Sequence, residues 1–266
     1  MSNIHPTAII EPGAKVHETA KIGALSYIGA DVTIGANAII HNHVNITGFT
    51  EIGDGTHVYP FASLGTTPQD LKYAGEKTRL VIGKNNRIRE HVTMNTGTIQ
   101  AEGITTVGDN NLFMVGAHVA HDCVVGSNCI LANNATLAGH VVVEDFVIIG
   151  GLSAVHQWVR IGKHAMIGGM SGIEADVIPY GNAFGERASL QGLNLVGLKR
   201  RGFEREEIHA LRNAFKKLFD GEGNQAERIA STEVEFGSNS AVSDIIDFLM
   251  ADTSRAICKP KQAANG

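Results

Sequence analysis

The amino-acid sequence predicts an all-β fold, a parallel β-helix wound from hexapeptide repeats, with an α-helical C-terminal segment. Three observations carry this expectation. An isoleucine, valine or leucine returns at every sixth residue from Ile4 to Leu64 without a miss. The ladder resumes at Ile82, Ile88 and Met94 and again from Val107 to Ile173, which makes 26 positions in three uninterrupted registers. Glycine often follows the ladder position directly, as at Gly23, Gly29, Gly35 and Gly53. A sixfold period suits neither an amphipathic helix nor an alternating strand, but it does suit a coil in which each repeat supplies one short strand and one corner. The glycines fit corners that need positive φ or a close backbone approach.

Three hexapeptides make one triangular coil of 18 residues. At the usual parallel-strand spacing, eight to nine such coils form a prism roughly 40 Å long. The ladder residue points inward, and so does the small residue two positions before it. Cys123 and Cys129 occupy that second slot, equivalent to Ala117, Ala135 and Ser153, and read as core fillers. The register breaks at about 66–81 and 95–106, which are expected to be loops extruded from corners. A repeat fold that tolerates insertions at two corners usually puts them to use.

The β-helical domain is expected over residues 1–180 and a mainly helical domain over 181–266. Ile208, Leu211, Phe215, Leu218 and Phe219 form an apolar stripe at helix spacing, opened by Glu204, Glu206 and Glu207. Further helices are expected over 225–236 and Ser243–Asp252. This segment is too small to bury its own core and should pack on the prism or on a neighbouring subunit. Flat sheet faces and open end coils favour a closed symmetric oligomer, and a triangular prism suits a trimer.

A net charge of −5 and a pI near 6.2 argue against a general nucleic-acid binder. No apolar run approaches bilayer length, no apolar leader opens the chain, and the cysteines have no CxxC spacing. These features point to a cytoplasmic protein.

Of the twelve histidines, His118, His121, His140 and His156 cluster in the last register. The 18-residue coil stacks His121, Gly139 and Gln157 in one column and Asp122 and His140 in the next. A histidine base, a carboxylate to set its tautomer and a backbone N–H without a side chain form a plausible acyl-transfer set. No serine or cysteine nucleophile is needed if the substrate brings the attacking hydroxyl. Zinc is the rival reading, but the columns do not stack histidine on histidine, since His121 meets Gly139 and His118 meets Thr136. Lys199-Arg200-Arg201 is either a solvated linker or a grip on phosphate. Trp158 reads as packing. A non-catalytic scaffold is the alternative of a different class.

The strings QDLKYAGE (69–76), IREHVTMNTGT (88–98), AHVAHDC (117–123), LANNATLAGH (131–140), AVHQ (154–157) and GLKRRGF (197–203) resemble the UDP-N-acetylglucosamine O-acyltransferase family across essentially the whole chain. The resemblance implies a left-handed parallel β-helix, a homotrimer with active sites between subunits, and the first step of lipid A synthesis. In that step the 3-hydroxyl of the UDP-sugar attacks the thioester of a (3R)-3-hydroxyacyl group on acyl carrier protein. The phosphopantetheine thioester is a substrate, and neither a cofactor nor a metal is implied. By the same resemblance His121 is the general base, Asp122 its orienting partner and Gly139 the oxyanion donor. Gln69, Asp70, Lys72 and His118 match residues that hold the sugar and phosphate region. His140, His156 and Gln157 match contacts along the cleft, Asn194, Arg200 and Arg201 the nucleotide end, and Gly169 the acyl-length ruler. Two places depart from the family pattern: Asn95-Thr96 replaces histidine-arginine, and Val196 stands where a glutamate is often found. The first leaves open a 3-amino UDP-sugar as acceptor, forming an amide, although the hydroxyl is the expected one. A sister N-acyltransferase of the pathway usually carries a domain before its repeats, whereas here the repeats begin at Ile4.

Overall fold

Each hexapeptide contributes a strand of mostly two residues, and each strand pairs in parallel with the one a coil later. Val119 lies beside Leu137 and Leu137 beside Val155, Val125 beside Val143, and Leu131 beside Ile149. The computed structural model describes residues 3–251 and 254–261. Among these residues the strands form three sheets of nine, eight and ten members. We call them the first, second and third face, in the order in which the chain visits them from Ile10, Val16 and Ile22. The fold is a left-handed parallel β-helix with C-terminal helices.

The core is the ladder itself. Ile28, Ile46, Leu64, Leu131 and Leu137 are fully buried, and the slot two residues earlier is buried as well, at Ala117, Cys123, Cys129, Ala135 and Ser153. Burial pushes the Cys123 and Cys129 thiols up to about 12, so they are inert fillers.

At the corners the glycines take the second of the two expected roles. Gly23 and Gly35 do not have positive φ; they serve the close-approach role instead. A Cβ on Gly23 would sit 2.6 Å from the backbone of the next coil. The left-handed residue comes two places later and is seldom glycine. Asn37, Asn128, Asp122, His140, Phe146, Trp158, His164 and Tyr180 all take φ between 56° and 68° there. Such a conformation costs about 1–2 kcal/mol for a residue with a Cβ. Stacking on the equivalent side chain of the next coil offsets that cost. His43, Phe61 and His91 stack at 5.3 and 5.2 Å, and Phe146, His164 and Tyr180 at 4.7 and 5.4 Å.

The two insertions are shorter than the breaks in periodicity suggest. The strands Arg79–Ile82 and Ile104–Val107 each pair over four residues on the second face, so the extruded loops are 67–78 and 96–103. After Ile173 the prism does not stop cleanly. Gly181–Phe184 adds a parallel strand to the third face, and Ser189–Leu193 returns antiparallel to it, at the start of the segment expected to be mainly helical.

Helix α1 (Leu195–Arg200) follows directly, within the segment expected to be mainly helical, and takes in Lys199 and Arg200 of the basic cluster. Helix α2 (Arg205–Asp220) opens on a capping box between Glu204 and Glu207 and buries Ile208, Leu211 and Leu218 of the predicted stripe together with Ala214, while Phe215 and Phe219 are partly buried. Helix α3 (Gln225–Phe236) matches its expected span. Helix α4 (Ser240–Ala251) begins three residues early, and its expected end at Asp252 lies outside the described residues, as do residues 262–266 of the helical segment.

The helices pack on the prism of their own chain. The Arg160 guanidinium stacks over Phe248 at 4.3 Å and bonds the fully buried Asp176 at 2.8 Å. Asp176 also pairs with the C-terminal strap, donating its N–H to the Ala256 carbonyl and accepting from the Cys258 N–H. The last coil is thereby covered, which removes an open sheet edge. Among the described residues, no helix is long and apolar enough to cross a membrane.

Candidate active site

One corner of the prism, between the first and second faces, gathers most of the chemistry. Both loops leave it, one after Leu64 and Thr66, the other after Met94 and Asn95. The His121-Asp122 turn stands at the same corner one coil on, followed by Gly139-His140 and then Gln157-Trp158. The loops thus lie immediately beside the histidine stack.

Asp122 is the organiser of the site. Its Oδ2 accepts from His121 Nδ1 at 2.8 Å and lies 3.8 Å from His140 Nδ1. Thr98 of the second loop donates its N–H to Oδ1 at 2.8 Å and its hydroxyl to Oδ2 at 2.6 Å. The Asp122 N–H donates to Thr105 Oγ1 at 2.8 Å. His121 and Asp122 are 6% and 7% exposed, so these bonds act in a poorly solvated setting where they count most. An ionised carboxylate only accepts, which makes His121 Nδ1 the N–H and leaves Nε2 with a free lone pair.

That nitrogen lies over Gly139. A Cβ there would stand 2.5 Å from His121 Cε1 and 2.6 Å from Nε2, so only glycine leaves room for the ring. The Gly139 carbonyl accepts from the Trp158 N–H, while the Gly139 N–H has no acceptor among the described residues. The column arithmetic therefore places the His121 ring beside Gly139 as expected.

The neighbouring column brings the two histidines closer than the arithmetic suggests. His140 meets His121 edge-on, with ring centroids 5.0 Å apart, and its other side is covered by the Trp158 indole at 3.7 Å, nearly coplanar. Trp158 packs, as expected, but on His140 of this corner, and it is half exposed there. The same 18-residue count that paired Asp122 with His140 reaches Trp158 next. Thr98 had no such signal, because its loop lies outside the register, whereas Thr105 occupies the inward slot two residues before Val107, one coil before Cys123. Burial holds the His140 imidazole below its ordinary range, against the opposing Asp122 carboxylate and, more weakly, Asp70 of the first loop. His118 is also held low by burial and by His121, and its Nδ1 pairs with Thr93 Oγ1 at 2.7 Å.

Among the remaining expected residues, Gln69 and Lys72 are exposed on the first loop, where Asp70 Oδ1 accepts the Lys72 N–H. His156 and Gln157 are exposed one coil beyond Gly139. Asn95 is buried and pins the root of the first loop, donating to Thr66 Oγ1 and the Thr67 carbonyl at 2.9 Å each; its Oδ1 is buried without a partner among the described residues.

Four expected residues lie at other corners. Gly169 belongs to the column of Asn133 and Gly151, between the third and first faces. Asn194 and Arg201 sit at the corner between the second and third faces. Asn194 caps α1 through the Gly197 N–H and donates to the His164 carbonyl, and Arg201 donates to the Phe146 carbonyl at 2.8 Å while its Nη1 is buried without a partner among the described residues. Arg200 is exposed beside them.

His121, Asp122 and His140 offer three ligand atoms within 4.8 Å of one another, the arrangement on which a metal reading would rest. Asp122 already accepts three hydrogen bonds, two from Thr98 and one from His121, which occupy most of the acceptor sites of its carboxylate.

Residues 176–258 match the family model described as UDP N-acetylglucosamine O-acyltransferase, domain 2, and residues 13–48 and 104–139 match the six-repeat bacterial transferase hexapeptide model. The chain is 47% identical over 265 residues to the acyl-(acyl-carrier-protein)–UDP-N-acetylglucosamine O-acyltransferase of Rhizobium etli, covering 100% of this chain and 97% of that one. The protein of the same name from Paracoccus denitrificans is 51% identical over 204 residues, 76% of this chain and 77% of its own. Among solved structures, the UDP-N-acetylglucosamine O-acyltransferase of Moraxella catarrhalis superposes with a TM-score of 0.94 at 42% identity, over 97% of this chain and 100% of that one.

Proposed function

The chain belongs to the UDP-N-acetylglucosamine O-acyltransferase family, and we propose that His121, Asp122 and Gly139 carry out its chemistry. The activity is the transfer of an acyl group from acyl carrier protein to an oxygen of UDP-N-acetylglucosamine, the first step of lipid A biosynthesis.

In the proposed mechanism the 3-hydroxyl oxygen of the sugar attacks the thioester carbonyl carbon. His121 Nε2 takes the hydroxyl proton as the C–O bond forms, and the resulting imidazolium is balanced by Asp122 through Nδ1–H. The carbonyl oxygen becomes an oxyanion and accepts from the Gly139 N–H. Collapse of the tetrahedral centre breaks the C–S bond. The phosphopantetheine thiolate then takes the proton back from His121, which restores the neutral base. The observation that carries this reading is the buried Asp122–His121 pair, with Nε2 poised over a glycine whose amide has no acceptor among the described residues. Gln69, Asp70 and Lys72 of the first loop, with His118, hold the sugar and its phosphates, while His140, His156 and Gln157 line the cleft.

The unit that performs the reaction is a homotrimer. Within one chain the base, the Asn194–Arg200–Arg201 group and Gly169 stand at three different corners of the prism, too widely distributed to serve one substrate. Threefold association sets one protomer's His121 corner against its neighbour, which then supplies the nucleotide grip and the acyl ruler. With no side chain at Gly169, the groove takes a longer (3R)-3-hydroxyacyl chain. Three free cysteines suit the cytoplasm as its compartment.

Subunit mixing tests this assembly. His121→Ala and Arg201→Ala chains, each inactive alone, should regain acyl transfer when refolded or co-expressed together, with about a quarter of the sites restored for random 1:1 trimers. A mixture that stays inactive, while sedimentation shows mixed trimers, would mean that each site is built from one chain.

A further inference from the structure

The geometry points to Thr98 as a positioning residue for acyl transfer: from the second loop it turns the Asp122 carboxylate toward His121 and away from His140. This inference rests on His121 acting as the base.

Asp122 has two claimants. Its Oδ2 is 2.8 Å from His121 Nδ1 and 3.8 Å from His140 Nδ1, and the two rings stand edge to face 5.0 Å apart. The terminal torsion of an aspartate is broad, so nothing in the side chain itself selects one imidazole over the other. Thr98 makes the selection. Its N–H holds Oδ1 at 2.8 Å and its hydroxyl holds Oδ2 at 2.6 Å, on a residue only 1% exposed. With both oxygens gripped, the carboxylate plane is fixed and Oδ2 is left facing His121.

Thr98 is itself well anchored. Its carbonyl accepts from the N–H groups of Ala101 and Gly103, which folds the loop back on it, and the preceding Gly97 donates to the Arg79 carbonyl at 3.2 Å. The Asp122 backbone is tied to the end of the same insertion through Thr105 Oγ1. The loop that breaks the repeat therefore returns to the prism at the one carboxylate that must not rotate.

The test is a set of variants assayed for acyl transfer from acyl carrier protein to UDP-N-acetylglucosamine. Thr98→Val removes the hydroxyl and keeps the branched shape and the N–H. A lost hydrogen bond to a buried charge predicts a fall in kcat of about 10- to 100-fold with both KM values within about threefold. Thr98→Ser should restore most of the rate. In an Asp122→Asn background Thr98→Val should cost little more, since the carboxylate to be oriented is gone. If valine prevents folding, Thr98→Ala takes its place in the same cycle. Unchanged kcat in Thr98→Val, or an equal loss with and without the Asp122 carboxylate, would overturn the inference. An active His121→Ala enzyme would instead overturn the reading on which it rests, so the two failures are distinguishable.

Discussion

Two corners of this prism share a backbone and differ in everything that matters for chemistry. At one, Asp122 and His140 occupy the left-handed turn position at φ 59° and 62°; at the next, Phe146 and His164 occupy it at 60° each. Each histidine stacks on aromatic neighbours, His140 on Trp158 at 3.7 Å and His164 between Phe146 and Tyr180. Yet His140 faces the Asp122 carboxylate and the edge of His121, whereas His164 has a buried Nδ1 with no partner among the described residues and is further covered edge-on by Phe203. Burial, reinforced by Arg201 and Lys163, drives the His164 imidazole down to about 4. The coil supplies identical slots at every corner. What turns one set of slots into a site is the pair of loops inserted there, and Thr98 above all.

The sharpest way to break that comparison is to fill the space that the active corner keeps empty. Gly139→Ala puts a methyl group 2.5–2.6 Å from the His121 ring, which must move. Transfer should fall by about 10²-fold, comparable to loss of an oxyanion donor, with the chain still folded by circular dichroism. Near-normal turnover would show that the close approach of ring and amide is incidental.

The structural corner has a smaller, pH-dependent signature. An unfolded histidine titrates near 6.5 and the folded His164 near 4, so across that window the unfolded chain binds more protons. Its contribution to stability is therefore complete above pH 6.5 and is lost as pH falls toward 4. His164→Phe, which preserves the stack, should flatten the decline in Tm between pH 7 and 5. An equally steep decline would mean that His164 is not a source of acid sensitivity.

How much of this was legible in the sequence follows from what sets each feature. The ladder is visible because an inward residue recurs at a fixed count, and the same count placed His121 over Gly139 and His118 beside Thr136. Helix α2 was legible through its apolar stripe and acidic start. The identity of the corner residues was not: local propensity puts glycine or asparagine at positive φ, while Phe146, Trp158 and Tyr180 are held there by stacking across coils. The short α1 helix and the strand pair at 181–193 lacked the length to show a period. Thr98 was out of reach because its loop obeys no register, although it contributes two of the three hydrogen bonds on the Asp122 carboxylate.

The central claim is that His121 at this corner is the general base. It is tested most directly by the turnover of His121→Ala with acyl carrier protein thioester and UDP-N-acetylglucosamine, measured beside its thermal stability. A loss of about 10²- to 10⁴-fold is expected with the chain still folded, because the ring packs over Gly139 at a corner and not among the inward ladder residues. Turnover within a few fold of the unaltered enzyme, in a stably folded variant, would contradict it.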